Sequence, residues 1–214
     1  MTTVAVIDYG MGNLRSVCKA IEHVDDKMRV VLTSAAGAIR AADRVVFPGQ
    51  GAIVGCQRAL REKGLVDVLH ETMASKPFLG ICLGLQALYE SSEEGGGTPG
   101  LGVLPGVVKR FAGSMQDGQG LPLKVPHMGW NQVYQTCEHP LWQGIDQDAR
   151  FYFVHSYYVD SRDDKLVAGK THYGIEFTSA AARENIFAVQ FHPEKSQHAG
   201  LQLLANFVTW NGEP

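Results

Sequence analysis

Between Val4 and Tyr89 the chain alternates short apolar runs with stretches of helical periodicity, which constrains its fold more than any other feature. Residues 4–7 form a continuous apolar run ending at Asp8 and a glycine turn. Leu14, Val17, Cys18 and Ile21 then recur at the spacing of an amphipathic helix, with Asn13 placed to cap it. Residues 29–32 and 44–47 are β-branched or apolar, a helical stretch covers about 53–73, and 77–81 is another buried run. Strands joined through helices pair in parallel, and a parallel sheet needs cover on both faces. The alternation therefore predicts an α/β fold.

The middle of the chain changes character. Residues 95–97 and 113–120 are glycine-rich loops, with short strand-like segments at 107–111, 132–134, 151–154 and 174–178. These read as mixed or antiparallel strands that extend the sheet or add a small second one. Leu201, Leu204, Ala205 and Val208 mark a final helix. With no internal repeat and no linker-like stretch, residues 1–214 read as a single domain, a mostly parallel central sheet flanked by helices with extra antiparallel strands.

Composition narrows the functional classes. Nineteen Lys and Arg against 22 Asp and Glu leave a formal charge of −3, which gives no basic footprint for nucleic acid. No apolar run approaches the roughly 18 residues of a membrane span, and the N-terminal segment reads as a strand and not a signal peptide. Four widely spaced cysteines without a C-x-x-C pair suit a reducing, cytoplasmic setting. Gly10-Met11-Gly12 lacks the third glycine of a dinucleotide fingerprint, since Arg15 occupies that place, and there is no phosphate-binding G-x-x-x-x-G-K motif. The eight histidines show no metal-site spacing. Neither a cofactor nor a metal is expected.

The chemistry concentrates in three segments. In PFLGICLGLQALY (77–89) an apolar strand runs through Gly80-Ile81-Cys82-Leu83-Gly84 into a helix, a cysteine form of the nucleophile elbow. A lone cysteine is more often a small buried hydrophobe, which is how Cys18, Cys56 and Cys137 read. In FAVQFHPE (187–194) a strand over 186–191 delivers His192 at its end, with Glu194 near enough to orient the imidazole. Alone, that pair is equally a satisfied surface contact; a nucleophile elbow in the same chain turns it into a base and its partner. In VVFPGQGA (45–52) a strand ends in a glycine turn able to expose backbone N–H groups to a developing oxyanion.

GICLGLQ (80–86), PGQGA (48–52) and FHPEKS (191–196) together resemble the class I, or triad, glutamine amidotransferases. DYGMGNLRS (8–16), PHMGWN (126–131) and FYFVHSY (151–157) are similar to one branch of it, the glutaminase subunits of imidazole glycerol phosphate synthases. The resemblance implies a thioester route from glutamine to glutamate and ammonia, with Cys82 as nucleophile and His192, oriented by Glu194, moving the protons. It implies an oxyanion hole from the N–H groups of Gly51 and Leu83, and a glutamine pocket from Gln86, Glu94, His155, Ser156 and Tyr157. It also implies a heterodimer with a (β/α)8-barrel cyclase subunit of histidine biosynthesis that takes the ammonia through a channel, with Asn13, Trp130, Tyr152 and Lys195 at the contact. The chain departs from the family at Gln50, where many relatives carry an apolar residue beside the oxyanion turn. Three alternatives stay open at this point: a glutaminase of another amidotransferase, a binding module with an idle triad, and a stand-alone cysteine hydrolase.

Overall fold

Strand and helix alternate as expected through the first part of the chain: β1 (Thr3–Ile7), α1 (Leu14–Val24), β2 (Arg29–Thr33), α2 (Ala36–Ala41), β3 (Arg44–Gly49), α3 (Ile53–Glu62), α4 (Val66–Met73), β4 (Phe78–Cys82) and α5 (Leu83–Leu88). Then come β5 (Tyr89–Ser92), β6 (Thr98–Pro99), β7 (Leu104–Arg110), β8 (His127–Gln132), β9 (Tyr134–Gln135), β10 (Arg150–His155), β11 (Tyr157–Ser161), β12 (Val167–Tyr173), β13 (Ile175–Arg183), β14 (Ile186–Val189) and α6 (Gln197–Thr209). This is a computed structural model, and it describes residues 2–214.

Five strands in the order β2-β1-β3-β4-β14 are mutually parallel. Their side chains alternate between two apolar cores. Val4, Val6 and Val46 pack with Val17 and Ile21 of α1 and with Leu204 and Phe207 of α6. Ile7, Val45 and Phe47 point the other way, into a core with Ile39, Leu60 and Leu69 from the helices opposite. Beyond β14 the pairing turns antiparallel through β13, β11 and β7, with β5 parallel to β7 and β6 at the edge. A separate two-stranded antiparallel ribbon joins β8 and β10. Both arrangements allowed by the sequence therefore occur: the sheet is extended and a small second sheet is added.

Several local expectations need correction. The single helix over 53–73 is two, α3 and α4, because Gly64 turns to φ +64° and the Leu65 N–H bonds back to Leu60. α2, β5, β6, β11 and β12 were not anticipated, their patterns being short or mixed. The strand expected over 186–191 ends at Val189. Asn13 does stand at the N-cap of α1, but its side chain makes no capping bond. Among the described residues, no helix is long and apolar enough to cross a membrane.

Candidate active site

β4 runs into α5 without a connecting loop, and Cys82 absorbs the change of direction. Its backbone lies at φ 54°, ψ −105°, which a residue with a side chain holds only when its surroundings enforce it. The flanking glycines let those surroundings close in. A Cβ on Gly84 would collide with the Phe47 carbonyl oxygen of β3, and one on Gly80 would stand 3.0 Å from Ala188 Cβ of β14. The elbow is thus wedged between both neighbouring strands, which is the physical reason for the G-x-C-x-G spacing.

His192 follows β14 and is fastened from a different direction. Its backbone N–H donates to the Tyr152 carbonyl of β10 at 2.9 Å. The Ser196 hydroxyl donates to the His192 carbonyl at 2.6 Å and accepts from the Tyr152 N–H at 2.9 Å. The 190–196 segment is therefore stapled to the ribbon. Pro193 opens a short 3-10 turn (Pro193–Lys195) that brings Glu194 Oε1 to 2.8 Å from His192 Nδ1, both side chains sealed from solvent. With Nδ1–H donating to the carboxylate, Nε2 is the free nitrogen, and it is turned toward Cys82. Burial opposes charging this imidazole, but the facing Cys82 sulfur and the Glu194 carboxylate outweigh it and raise its pKa above the ordinary histidine range.

Cys82 and His192 open into a cleft of about 420 Å³. Gly51 and Leu83 line it, where β3 and β4 end side by side in register at Gly49 and Cys82. Gln86, Glu94, His155, Ser156, Tyr157, Lys195 and Gln50 also face it. Glu194 lies behind, along a small hollow shared with Asn13 and Pro48. Trp130 and Tyr152 are placed elsewhere, as cross-strand partners on the ribbon's outer face with rings 6.1 Å apart. Trp130 is 41% exposed and its neighbour Met128 61%, so this face is an apolar surface against solvent.

Three of the pocket residues have commitments that the sequence did not disclose. Gln86 spends both N–H bonds internally, on the Tyr157 carbonyl at 3.0 Å and on Gln190 Oε1 at 2.9 Å, so only its oxygen is left for a ligand. The His155 ring sits 2.7 Å through Nδ1 from the Tyr157 carbonyl and 3.0 Å through Nε2 from His127 Nδ1. Neither nitrogen can bind a substrate, so His155 contributes to the cleft wall while its ring serves the interior. Burial pushes its pKa down to about 3 and that of His127 to about 4, and both are neutral at pH 7. Glu94 likewise uses one oxygen to accept the first N–H of α3, at Ile53, at 2.8 Å.

Gln190 and His127 were missed. Gln190 is fully buried and donates from Nε2 to the Cys82 sulfur at 3.6 Å. Its signal was present: a lone amide in the apolar run IFAVQF, where alternation points inward. His127 had no comparable signal, because its partner His155 lies on another strand.

A family model described as "Glutamine amidotransferase class-I" matches residues 5–210. Imidazole glycerol phosphate synthase subunit HisH of Nitrosococcus oceani is 61% identical over 212 residues, 99% of each chain. The subunit of that name from Aromatoleum aromaticum is 60% identical over 211 residues, 98% of this chain and 99% of the relative. Among solved structures, PurLQS from Thermotoga maritima superposes with a TM-score of 0.70 at 16% identity, covering 97% of both chains, a likeness of fold. The chain belongs to the class-I glutamine amidotransferases and, within them, to the family of HisH subunits.

Proposed function

We propose that Cys82, His192 and Glu194 hydrolyse L-glutamine to glutamate and ammonia, for use by a cyclase subunit in making imidazole glycerol phosphate and aminoimidazole carboxamide ribotide in histidine biosynthesis. The observation that carries this reading is the sealed Glu194–His192 pair, its free nitrogen turned to a cysteine on a strained elbow. The Cys82 proton passes to His192 Nε2 as sulfur attacks the side-chain amide carbon of glutamine. The carbonyl oxygen becomes an oxyanion, which the N–H groups of Gly51 and Leu83 receive. Leu83 N–H stands in the first turn of α5, where the helix itself supplies no acceptor. Collapse breaks the C–N bond, His192 returns the proton to nitrogen, and ammonia leaves a γ-glutamyl thioester. Water then gives its proton to His192 and attacks the thioester carbon; the C–S bond breaks, and sulfur regains its proton as glutamate departs.

Substrate placement follows from the groups still open. The free oxygen of Glu94 suits the α-ammonium of glutamine, a desolvated cation that needs a carboxylate. The Gln86 oxygen and the 155–157 segment close the other side. The outer face of the ribbon, with Trp130 and Tyr152, Lys195 at the cleft and Asn13 at the hollow behind it form the contact with a (β/α)8-barrel cyclase, which receives ammonia before it meets bulk water. The whole chain works as one amidotransferase domain in a one-to-one heterodimer, and the isolated chain is a poor glutaminase that the ligand-loaded cyclase activates.

Glutamate release from glutamine, measured with and without the cyclase and its nucleotide ligand, tests this. Strong stimulation by the loaded partner is the expected result. Equal turnover with and without it would remove the gating. No glutamate from a folded, assembled complex would reduce the triad to an idle constellation.

A further inference from the structure

We propose that Gln190 is a second hydrogen-bond donor to the Cys82 sulfur, beside His192, held in that role by a polar network anchored on the Tyr157 carbonyl. The inference rests on the reading of Cys82 as the nucleophile and gives that site a further catalytic residue.

The argument is one of donors and acceptors. An amide can present either its oxygen or its NH2 to a neighbour, so the 3.6 Å contact from Gln190 Nε2 to Cys82 Sγ means little unless something fixes the orientation. Gln86 fixes it. Its Nε2 donates to Gln190 Oε1 at 2.9 Å, so the Gln190 oxygen is occupied and its NH2 is the end turned to sulfur. Gln86 is fixed in turn by the Tyr157 carbonyl at 3.0 Å, a backbone oxygen that can only accept. Turning Gln86 over would set its oxygen against two acceptors, and turning Gln190 over would set NH2 against NH2. Both are costly where no water can intervene, and Gln190 is fully buried.

The same carbonyl sets a second branch. His155 Nδ1 donates to Tyr157 O at 2.7 Å, so its Nε2 accepts from His127 Nδ1–H at 3.0 Å. His127 Nε2 then accepts from Asn131 Nδ2 at 3.2 Å, and the Asn131 amide also donates to the His172 carbonyl at 2.9 Å. Every nitrogen that donates in the chain from Asn131 to Gln190 has at least one acceptor, and no member carries charge. A neutral network of fixed polarity holds a donor on the sulfur without adding a second titratable group that could exchange protons with it in place of His192. In the reaction the Gln190 N–H favours the sulfur anion both before attack and when the C–S bond of the thioester breaks and its electron pair returns to sulfur.

Gln190→Met removes the donor at similar volume. Gln190→Glu keeps an oxygen for Gln86 and lacks the NH2, which provides a second variant should the first misfold; circular dichroism and the thermal midpoint report folding. In the complex with its loaded cyclase, kcat for glutamine hydrolysis should fall ~10–100-fold, the size of one lost charge-assisted hydrogen bond, with KM within about twofold of the parent. Synthesis from ammonium salts should be unchanged. In the free chain, alkylation of Cys82 by iodoacetamide at pH 7, followed by peptide mass, should slow ~10-fold. A folded variant with parental kcat, or one that loses only KM, would overturn the proposal, and so would equal alkylation rates in parent and variants. A parent that hydrolyses no glutamine would sink the reading of the site, while the alkylation comparison would still decide for or against Gln190.

Discussion

Cys82 rises from the parallel half of the sheet, wedged between β3 and β14, whereas the backbone of His192 is fastened to the β8–β10 ribbon through Tyr152 and Ser196. The central strands of the parallel half, β1, β3 and β4, are apolar on both faces and covered by helices, so they are almost wholly buried, while β2 at the edge is partly exposed. The ribbon has one inner face, with Phe151, Phe153, His127 and His155, and one outer face that carries exposed Met128 and Trp130. The candidate nucleophile therefore stands on the buried region, and the histidine facing it leans on the region that presents apolar surface to solvent. A displacement of the ribbon's backbone at Tyr152 would carry the His192 backbone with it, through their 2.9 Å hydrogen bond.

Cys82→Ala in the assembled complex should lower glutamine-dependent synthesis by ~10³-fold or more while synthesis from ammonium salts continues, as product formation with each nitrogen source would record. Loss of both activities would give Cys82 a structural task instead. Next comes packing. Gly84→Ala forces a methyl onto the Phe47 carbonyl and should cost about 3 kcal/mol or more or prevent folding, whereas Gly113→Ala, with open space around it, should stay within about 0.5 kcal/mol by urea denaturation. Similar costs at the two sites would deny the elbow its tight seat.

On the ribbon the effects should fall on association. Trp130→Ala is expected to weaken cyclase binding ~10–100-fold by titration calorimetry and to change the isolated chain's stability by under about 1 kcal/mol. The reverse pattern would make Trp130 a core residue. The smallest effect concerns acid. His127 and His155 have folded pKa values near 4 and 3, below the ordinary histidine value of 6.5, so between those limits the unfolded chain binds more protons than the folded one. Their contribution to stability is complete above pH 6.5 and is lost as pH falls toward 4 and below. His155→Gln should flatten that fall by about 1–2 kcal/mol in urea midpoints taken across the window; an unchanged slope would mean the pair is not buried neutral.

The parallel half was legible because each strand there is a short, two-sided apolar run and each covering helix repeats with its own period. The elbow was legible because glycine spacing reports close backbone approach directly. α2 was not: AGAIRA is too short to show a period. β11 and β12 carry mixed patterns, YYVDS and VAGKTHY, because their neighbours are partly polar and partly solvent. The proposed triad could be read from two local signals, but the hydrogen bonds of Gln86 and His155 could not, since both depend on a single carbonyl, at Tyr157, whose neighbours lie far apart in sequence. Gln190 lay between these cases, its buried amide visible and its target not.

β14 has a consequence for how the chain is made. It fills the place between β4 and β13, so the middle of the sheet is the last part to be supplied in chain order. During synthesis the apolar edge of β4 waits for roughly a hundred further residues, on the order of 5–20 s at ordinary translation rates, with its ladder groups unpaired. That interval is when the nascent chain is most open to edge-to-edge aggregation and most in need of a chaperone. It is also an interval in which Cys82 has been made and the histidine that faces it, His192, has not.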